Sequence, residues 1–321
     1  MTPYLTVKRI EFIVTYRCNS GCIHCQVEEK QRRSRPAALD PALAVRLIRE
    51  VCRAWAPRSL MTFGGEPLLY ATAVCAIHAA ARECGIPQRQ VITNAGYPAA
   101  PEKFKRLAGR LAESGVNSIY ISVDAFHQES VPLEVVERNA RLLLAAGIPE
   151  LRWNPCWVTS PAADNPWNRR TRQVLEGLAH LPIPQDGGNV LMPKGRACQQ
   201  LGEYLPPRQP LPGGACGELP YTDRPDAVTS LSVEPNGDIT ACHVLANTAQ
   251  PDLLAALQAY DPYTDPALKA MLEGGMDGLL RLARSQGIQP NPQGTYTICE
   301  MCQDLRKFLR DALHSGAQSP L

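Results

Sequence analysis

YRCNSGCIHCQ, residues 16–26, places Cys18, Cys22 and Cys25 within eight positions and supplies no fourth cysteine nearby. The spacing is C-x3-C-x2-C. A zinc knuckle or a closed iron–sulfur cage takes four protein ligands, whereas three thiolates can hold three irons of a four-iron cluster and leave the fourth open. On spacing alone, a zinc site completed by His24 or by a distant cysteine is the other reading. The apolar run RIEFIVTY (9–16) leads straight into the cysteines. Its β-branched and aromatic content predicts a buried strand, so the cysteine loop opens where that strand ends.

The same rhythm continues to about residue 192. SLMTF (59–63), RQVITN (89–94), SIYISVD (118–124), ELRWNPCWV (150–158) and NVLM (189–192) read as further strands. Between them lie the helical patterns PALAVRLIREVCRAW, ATAVCAIHAAARECG, EKFKRLAGRLAESG and PLEVVERNARLLLAAG, three of which stop on Gly85, Gly115 and Gly147. Six strand–helix units in series require a parallel sheet with right-handed crossovers. Chemistry is then expected at the C-terminal ends of the strands. After residue 195 the rhythm breaks into the Pro/Gly-rich YLPPRQPLPGGACGELP (204–220). TSLSVEPNGDITACHV (229–244) carries Asn236-Gly237 between two β-rich runs, a hairpin signal. A Gly-broken helical region, a Pro/Asn-rich loop, CEMC and a last helix RKFLRDALH complete the pattern.

Composition excludes several classes. The chain has 321 residues and a net charge of +2, from 33 basic and 31 acidic side chains, which gives no reason to propose nucleic acid or an anionic membrane as partner. No apolar run approaches the ~20 residues of a membrane helix. MTPYLTVKRIEF lacks the apolar core of a secretion signal, so a cytoplasmic location is expected. There are 12 cysteines, and in a reducing compartment metal binding or catalysis is the better default than a disulfide framework. Cys52, Cys75 and Cys84 fall on apolar helix faces and read as core residues.

Taken in order, these elements resemble the radical S-adenosylmethionine (SAM) superfamily. RCNSGCIHC resembles the cluster loop, with Cys18, Cys22 and Cys25 as ligands. FGGEP (63–67) resembles the motif that meets the methionine moiety of SAM through Gly64, Gly65 and Glu66. Thr93 and Asn94 end the third strand, and Ser122 to Asp124 the fourth, where family members contact the ribose or carboxylate of SAM. The resemblance also makes Arg138 a partner for the SAM carboxylate. It implies an α/β fold, a partial (β/α)6 TIM-like barrel over residues 1–195, and a SAM-binding [4Fe-4S] cluster served by a flavodoxin- or ferredoxin-like electron donor.

Cys216, Cys242, Cys299 and Cys302 form a second set. NGDITAC and CEMC resemble the SPASM and twitch extensions of such enzymes, which implies an α+β twitch-like extension over 196–321 holding one fully ligated auxiliary [4Fe-4S] cluster. A four-thiolate zinc site is the alternative from spacing, and twenty residues between Cys216 and Gly237 exceed the common pattern. Enzymes with such extensions act largely on ribosomally made peptides. ISVDAFHQE, GRA (195–197) and ICEMCQDL resemble the peptidyl epimerases among them. In the closest of these a thiol directly follows the hairpin cysteine; here His243 stands there, and Pro220 stands where an Asp is expected. Cys156 and Cys198 are then the candidate hydrogen donors, with Asp124, His127 and Glu129 placed to orient substrate or move protons. The expected substrate is a peptide or a small molecule. With a strand starting within about ten residues of the first Met, a peptide would be gripped by the barrel mouth, the extension or a separate leader-binding protein.

Overall fold

The computed structural model describes residues 2–316, with side chains placed to residue 312. Five parallel strands are hydrogen-bonded in sequence order: β1 (Leu5–Thr15), β2 (Ser59–Gly64), β3 (Gln88–Thr93), β4 (Ser118–Ile121) and β5 (Glu150–Trp153). A short α1 (Glu29–Arg32) follows the cysteine loop, and α2 (Pro41–Ala54), α3 (Ala71–Glu83), α4 (Pro101–Glu113), α5 (Leu133–Ala145) and α6 (Pro166–Gly177) return the chain. Proline at the first position opens α2, α4 and α6, where a missing N–H costs nothing. Gly85, Gly115 and Gly147 close α3, α4 and α5 at φ of 74°, 91° and 77°, as their positions in the sequence predict.

In β1, Leu5, Val7, Ile10, Phe12 and Val14 are buried against the helices. α2 meets them with Ala44, Leu47, Ile48 and Val51, spaced along one helix face. Each such large side chain contributes roughly 1.5–3 kcal/mol by leaving water. The opposite face is mixed, with Ile13, Met61, Phe63 and Ile92 beside charged pairs. Arg9 bonds Glu11 at 2.5 Å and Arg152 bonds Glu150 at 2.7 Å. Tyr120 lies within electrostatic reach of Glu150, Arg152 and Arg9.

ELRWNPCWV does not run as one strand. Pro155 has no N–H for the ladder, and the chain breaks into β5 and a separate β6 (Cys156–Trp157). β6 pairs in parallel with β7 (Asn189–Val190), so the sixth strand–helix unit is present but detached from the main ladder.

The Asn236-Gly237 hairpin forms between β8 (Val228–Val233) and β9 (Asp238–Thr240), and β10 (Val244–Asn247) adds to it. β8 then pairs in parallel with β1, Ile10 opposite Leu231 and Phe12 opposite Val233. One sheet of eight strands results, ordered β10-β9-β8-β1-β2-β3-β4-β5. After α7 (Arg196–Gln200), the rest of the chain forms α8 (Leu253–Gln258), α9 (Pro266–Ser285), kinked at Gly275, and α10 (Ile298–Gly316). CEMC does not precede the last helix; it forms its first turns. Thr297 Oγ1 accepts the Glu300 N–H at 3.1 Å and the Glu300 carboxylate accepts the Tyr296 N–H at 2.7 Å, a capping arrangement that starts the helix before the cysteines.

His78 on α3 is fully buried, with Nε2 3.0 Å from Thr62 Oγ1 on β2. Burial, reinforced by Arg89, pushes its pKa down to about 3. The folded chain therefore refuses a proton that the unfolded chain takes up below about pH 6.5, and stability falls as pH drops through that window. Between pH 7 and pH 5 the apoprotein is expected to lose about 2 kcal/mol of unfolding free energy that His78→Leu does not lose. Denaturant titrations of both proteins at the two pH values check this.

Candidate functional site

The C-terminal ends of β1, β2, β3 and β4 open on one side of the sheet, and the sequence-predicted residues gather there. Two backbone hydrogen bonds stitch the β2 end to the β1 end: Gly65 N–H donates to Thr15 O at 2.7 Å and Glu66 N–H to Arg17 O at 2.8 Å. This close approach explains the glycines. A Cβ on Gly65 would strike Arg17 O and lie 2.8 Å from Tyr16 O, and Gly64 sits at φ 137°, a conformation side chains rarely adopt. With these N–H groups spent, the loop has only carbonyl oxygens left for a ligand, the right chemistry for an amino group.

Glu66 is fully buried. Its carboxylate accepts from Leu68 N–H at 2.9 Å, Thr93 Oγ1 at 2.8 Å and Asn94 N–H at 2.9 Å. Burial pushes its pKa up to about 7 despite those three donors. Its side chain therefore ties β2 to β3. Asn94 reaches onward from this anchor, its Nδ2 3.0 Å from Asn19 Oδ1 and 3.9 Å from Cys18 Sγ.

In the cysteine loop, Ser20 Oγ lies 2.9 Å from both Cys22 Sγ and Ser130 Oγ. Burial, then the nearby Glu66 carboxylate, pushes Cys18 up to about 12, and burial raises Cys22. Arg32 faces all three thiols electrostatically, donating to Cys25 Sγ at 3.3 Å and Ser20 O at 3.0 Å. The His24 ring packs on Phe126 and edge-on to His127, with centroids at 4.7 and 4.8 Å. Gly195, in the stretch after β7, lies against the loop; a Cβ there would meet Cys25 O at 2.6 Å, and Arg196 N–H donates to that oxygen.

Two expectations change. Asp124 is fully buried and both carboxylate oxygens are occupied. Oδ1 accepts from the Phe126 and His127 N–H groups, and Oδ2 from His127 Nδ1 and Cys156 N–H, all within 2.9 Å. Burial alone would raise its pKa, but His127 outweighs it and the carboxyl falls to about 2. Asp124 thereby holds His127 and Cys156 in place. Arg138 donates from one Nη to Ala99 O, and its Nε is buried without a hydrogen-bond partner. Ser122 is half-buried at the β4 end, its N–H held by Thr93 O at 2.9 Å. Glu129 is exposed.

Cys156 and Cys198 join one apolar cluster with Phe126, Leu191, Trp167 and Tyr296. Cys156 is 7% exposed and lies within electrostatic reach of Cys22. Cys198 is half-buried beside Glu300 and Arg208. Burial raises both thiols, so both carry S–H at neutral pH.

The second cysteine set also converges. Cys216 lies in electrostatic reach of Cys242 and Cys299, and Cys302 of Cys242 and Cys216. Sequence reasoning missed the arginine at each set. Arg32 lies one short helix past Cys25, and Arg306 follows Cys302 by four positions on α10, a spacing that shares a helix face. Arg32 Nε and Arg306 Nε are both buried without a hydrogen-bond partner. Orphaned donors beside thiols fit an acceptor-rich, sulfide-bearing group. Among the described residues no three His, Cys, Asp or Glu side chains are gathered tightly enough for a single metal ion. A four-iron body holds its ligands farther apart, one at each corner.

Residues 12–161 match the Radical SAM superfamily. No curated protein sequence matches the chain. Two solved structures of anSMEcpe with bound AdoMet, one native and one carrying a polyhistidine tag, are similar at 11% identity with TM-scores of 0.51 and 0.52; the alignments span 98% of this chain and 100% and 96% of those. BtrN in complex with AdoMet and 2-DOIA aligns at 17% identity and TM-score 0.48, over 85% of this chain and 89% of that one.

Two substitutions separate the roles assigned above. Gly65→Ala should cost the apoprotein about 1–3 kcal/mol by forcing the turn off the β1 backbone, and weaken SAM binding to the reconstituted protein by roughly tenfold or more, read by calorimetry. Asp124→Ala should destabilise the apoprotein by about 3 kcal/mol or more, because four buried donors lose their acceptor. Thermal unfolding reads that loss.

Proposed function

We propose, on the premise that residues 12–161 form a Radical SAM superfamily domain, that this protein cleaves SAM reductively and abstracts hydrogen from a peptide, maturing it by epimerisation, crosslinking or dehydrogenation. The observation that carries this reading is the stitching of the three-cysteine loop, the Gly64-Gly65-Glu66 turn and Thr93-Asn94 into one site at the strand ends. A cluster held by Cys18, Cys22 and Cys25 would supply the electron that converts SAM to a 5′-deoxyadenosyl radical.

The chain's own residues bind and orient. The carbonyls of the Gly64-Gly65 turn take the methionine amino group, and Glu66 fixes Thr93 and Asn94 beside it. Ser122 stands at the next strand end for the ribose. Asp124 fixes His127 through Nδ1 and, against burial, raises its basicity, which leaves Nε2 as the ring nitrogen free to exchange a proton with substrate. The charged groups on the face opposite the helices, Arg9, Glu11, Tyr120, Glu150 and Arg152, support a substrate with hydrogen-bonding groups, as a peptide backbone has. Cys198, more open than Cys156, is the thiol assigned to donate hydrogen to a carbon radical. Cys216, Cys242, Cys299 and Cys302 would hold an auxiliary cluster in a twitch-like extension. A flavodoxin- or ferredoxin-like protein supplies electrons, and a separate protein presents any leader peptide.

A small-molecule substrate is the second reading. It is favoured by the strap in which Gln209 and Thr295 exchange backbone hydrogen bonds at 2.9 and 3.0 Å while Tyr296 packs on the apolar cluster.

Anaerobic reconstitution followed by reduction with dithionite and SAM tests the core of the proposal. Iron-dependent release of 5′-deoxyadenosine is expected; stoichiometric zinc with no SAM cleavage would overturn it. With a peptide substrate in deuterated buffer, deuterium at an α-carbon indicates epimerisation, and loss of two hydrogens without it indicates crosslinking or dehydrogenation. For epimerisation, Cys198→Ala should still form 5′-deoxyadenosine but lose deuterium incorporation by about 100-fold, measured by mass spectrometry.

A further inference from the structure

We propose that Arg306 is the counter-charge of the second cysteine set and raises the reduction potential of the cluster held there. This rests on reading Cys216, Cys242, Cys299 and Cys302 as a cluster site. Arg306 lies on α10 and is only 6% exposed. Its Nη1 is 3.5 Å from Cys242 O and 3.7 Å from Cys242 Sγ. Its Nε is buried and lacks a hydrogen-bond partner. None of the ion pairs among the described residues includes it.

A buried guanidinium without a carboxylate is costly unless another anion faces it. Cys242, Cys302, His243 and Tyr260 lie in its field; the Asp265 carboxylate acts on the same Cys242 and His243, and the Arg310 cation on His243, without an ion pair to Arg306. Four thiolates around an iron–sulfur core give a net negative body, which answers the unmatched charge and offers sulfur acceptors to the orphaned Nε–H. Gaining one electron makes that body more negative, so an adjacent buried cation favours the reduced form. Net charge, hydrogen bonds to sulfur and solvent exposure are the levers that set such potentials. Arg32 plays the corresponding part at Cys25 from a half-buried position, where water screens it.

The test uses the full chain reconstituted anaerobically, with iron counted and midpoint potentials read by electron paramagnetic resonance during dithionite titration. The wild type should hold about eight irons per chain, two four-iron clusters. Arg306→Gln should keep them and lower the midpoint of one signal while leaving the other in place, and Arg306→Lys should shift it less. Full iron with an unchanged midpoint in Arg306→Gln would overturn the inference and leave the cluster reading standing. About four irons in the wild type would overturn that reading, and the inference with it. If Arg306→Gln loses iron from the second set, Arg306→Lys decides. Iron retained with lysine supports a counter-charge; iron lost with lysine assigns Arg306 to packing and overturns it.

Discussion

Gly65 N–H to Thr15 O and Glu66 N–H to Arg17 O are two hydrogen bonds among very many, yet the site depends on them. They require the β2 turn to lie against backbone that is itself entering the cysteine loop. No side chain fits between, so glycine is dictated at both Gly64 and Gly65. Once the turn is seated, the Glu66 carboxylate is delivered under β3, where Thr93 and Asn94 close on it. Asn94 then touches the cysteine loop again through Asn19, completing a ring of contacts from β1 to β2 to β3 and back. Misplacing any one member moves the others, because two backbone bonds fix the turn that aims the buried Glu66 side chain.

A second acid repeats the device two strands later. Asp124 uses all its accepting capacity internally, joining the β4 end to Cys156 beyond the Pro155 break. Glu66 and Asp124 are both fully buried, but their environments push them apart: burial lifts the Glu66 titration to near neutral pH, and His127 keeps Asp124 ionised. Two carboxylates thus brace the rim, and groups with unspent capacity, the turn carbonyls, His127 Nε2 and the two thiols, are left to meet ligands.

Much of this was legible in the sequence, because strands, glycine stops and the three-cysteine loop are local patterns. The parallel sheet followed from alternation, and the site's location followed from the sheet. What could not be read was direction. Asp124 and Arg138 sit at positions the resemblance marks, but one turns inward to four donors and the other to Ala99, and only tertiary packing decides that. The resemblance places the CEMC cysteines before the last helix. Thr297 and Glu300 carried the capping signal that places them inside it. Arg32 and Arg306 escaped notice since an arginine near a cysteine means nothing until the fold brings the guanidinium to the sulfur.

The parallel pairing of β1 with β8 has a consequence for how the molecule assembles. One edge of β1 is met early by β2, but the other waits for residues 228–233, which lie most of the chain away. Closing so long a loop is slow, and a long apolar strand with one open edge invites pairing with another chain meanwhile. During synthesis the early strands can collapse on their helices, yet β1 stays half-zipped until the hairpin emerges. Yield in a cell should therefore hinge on what shields that edge in the interval, such as a chaperone, more than on the final stability of the folded protein.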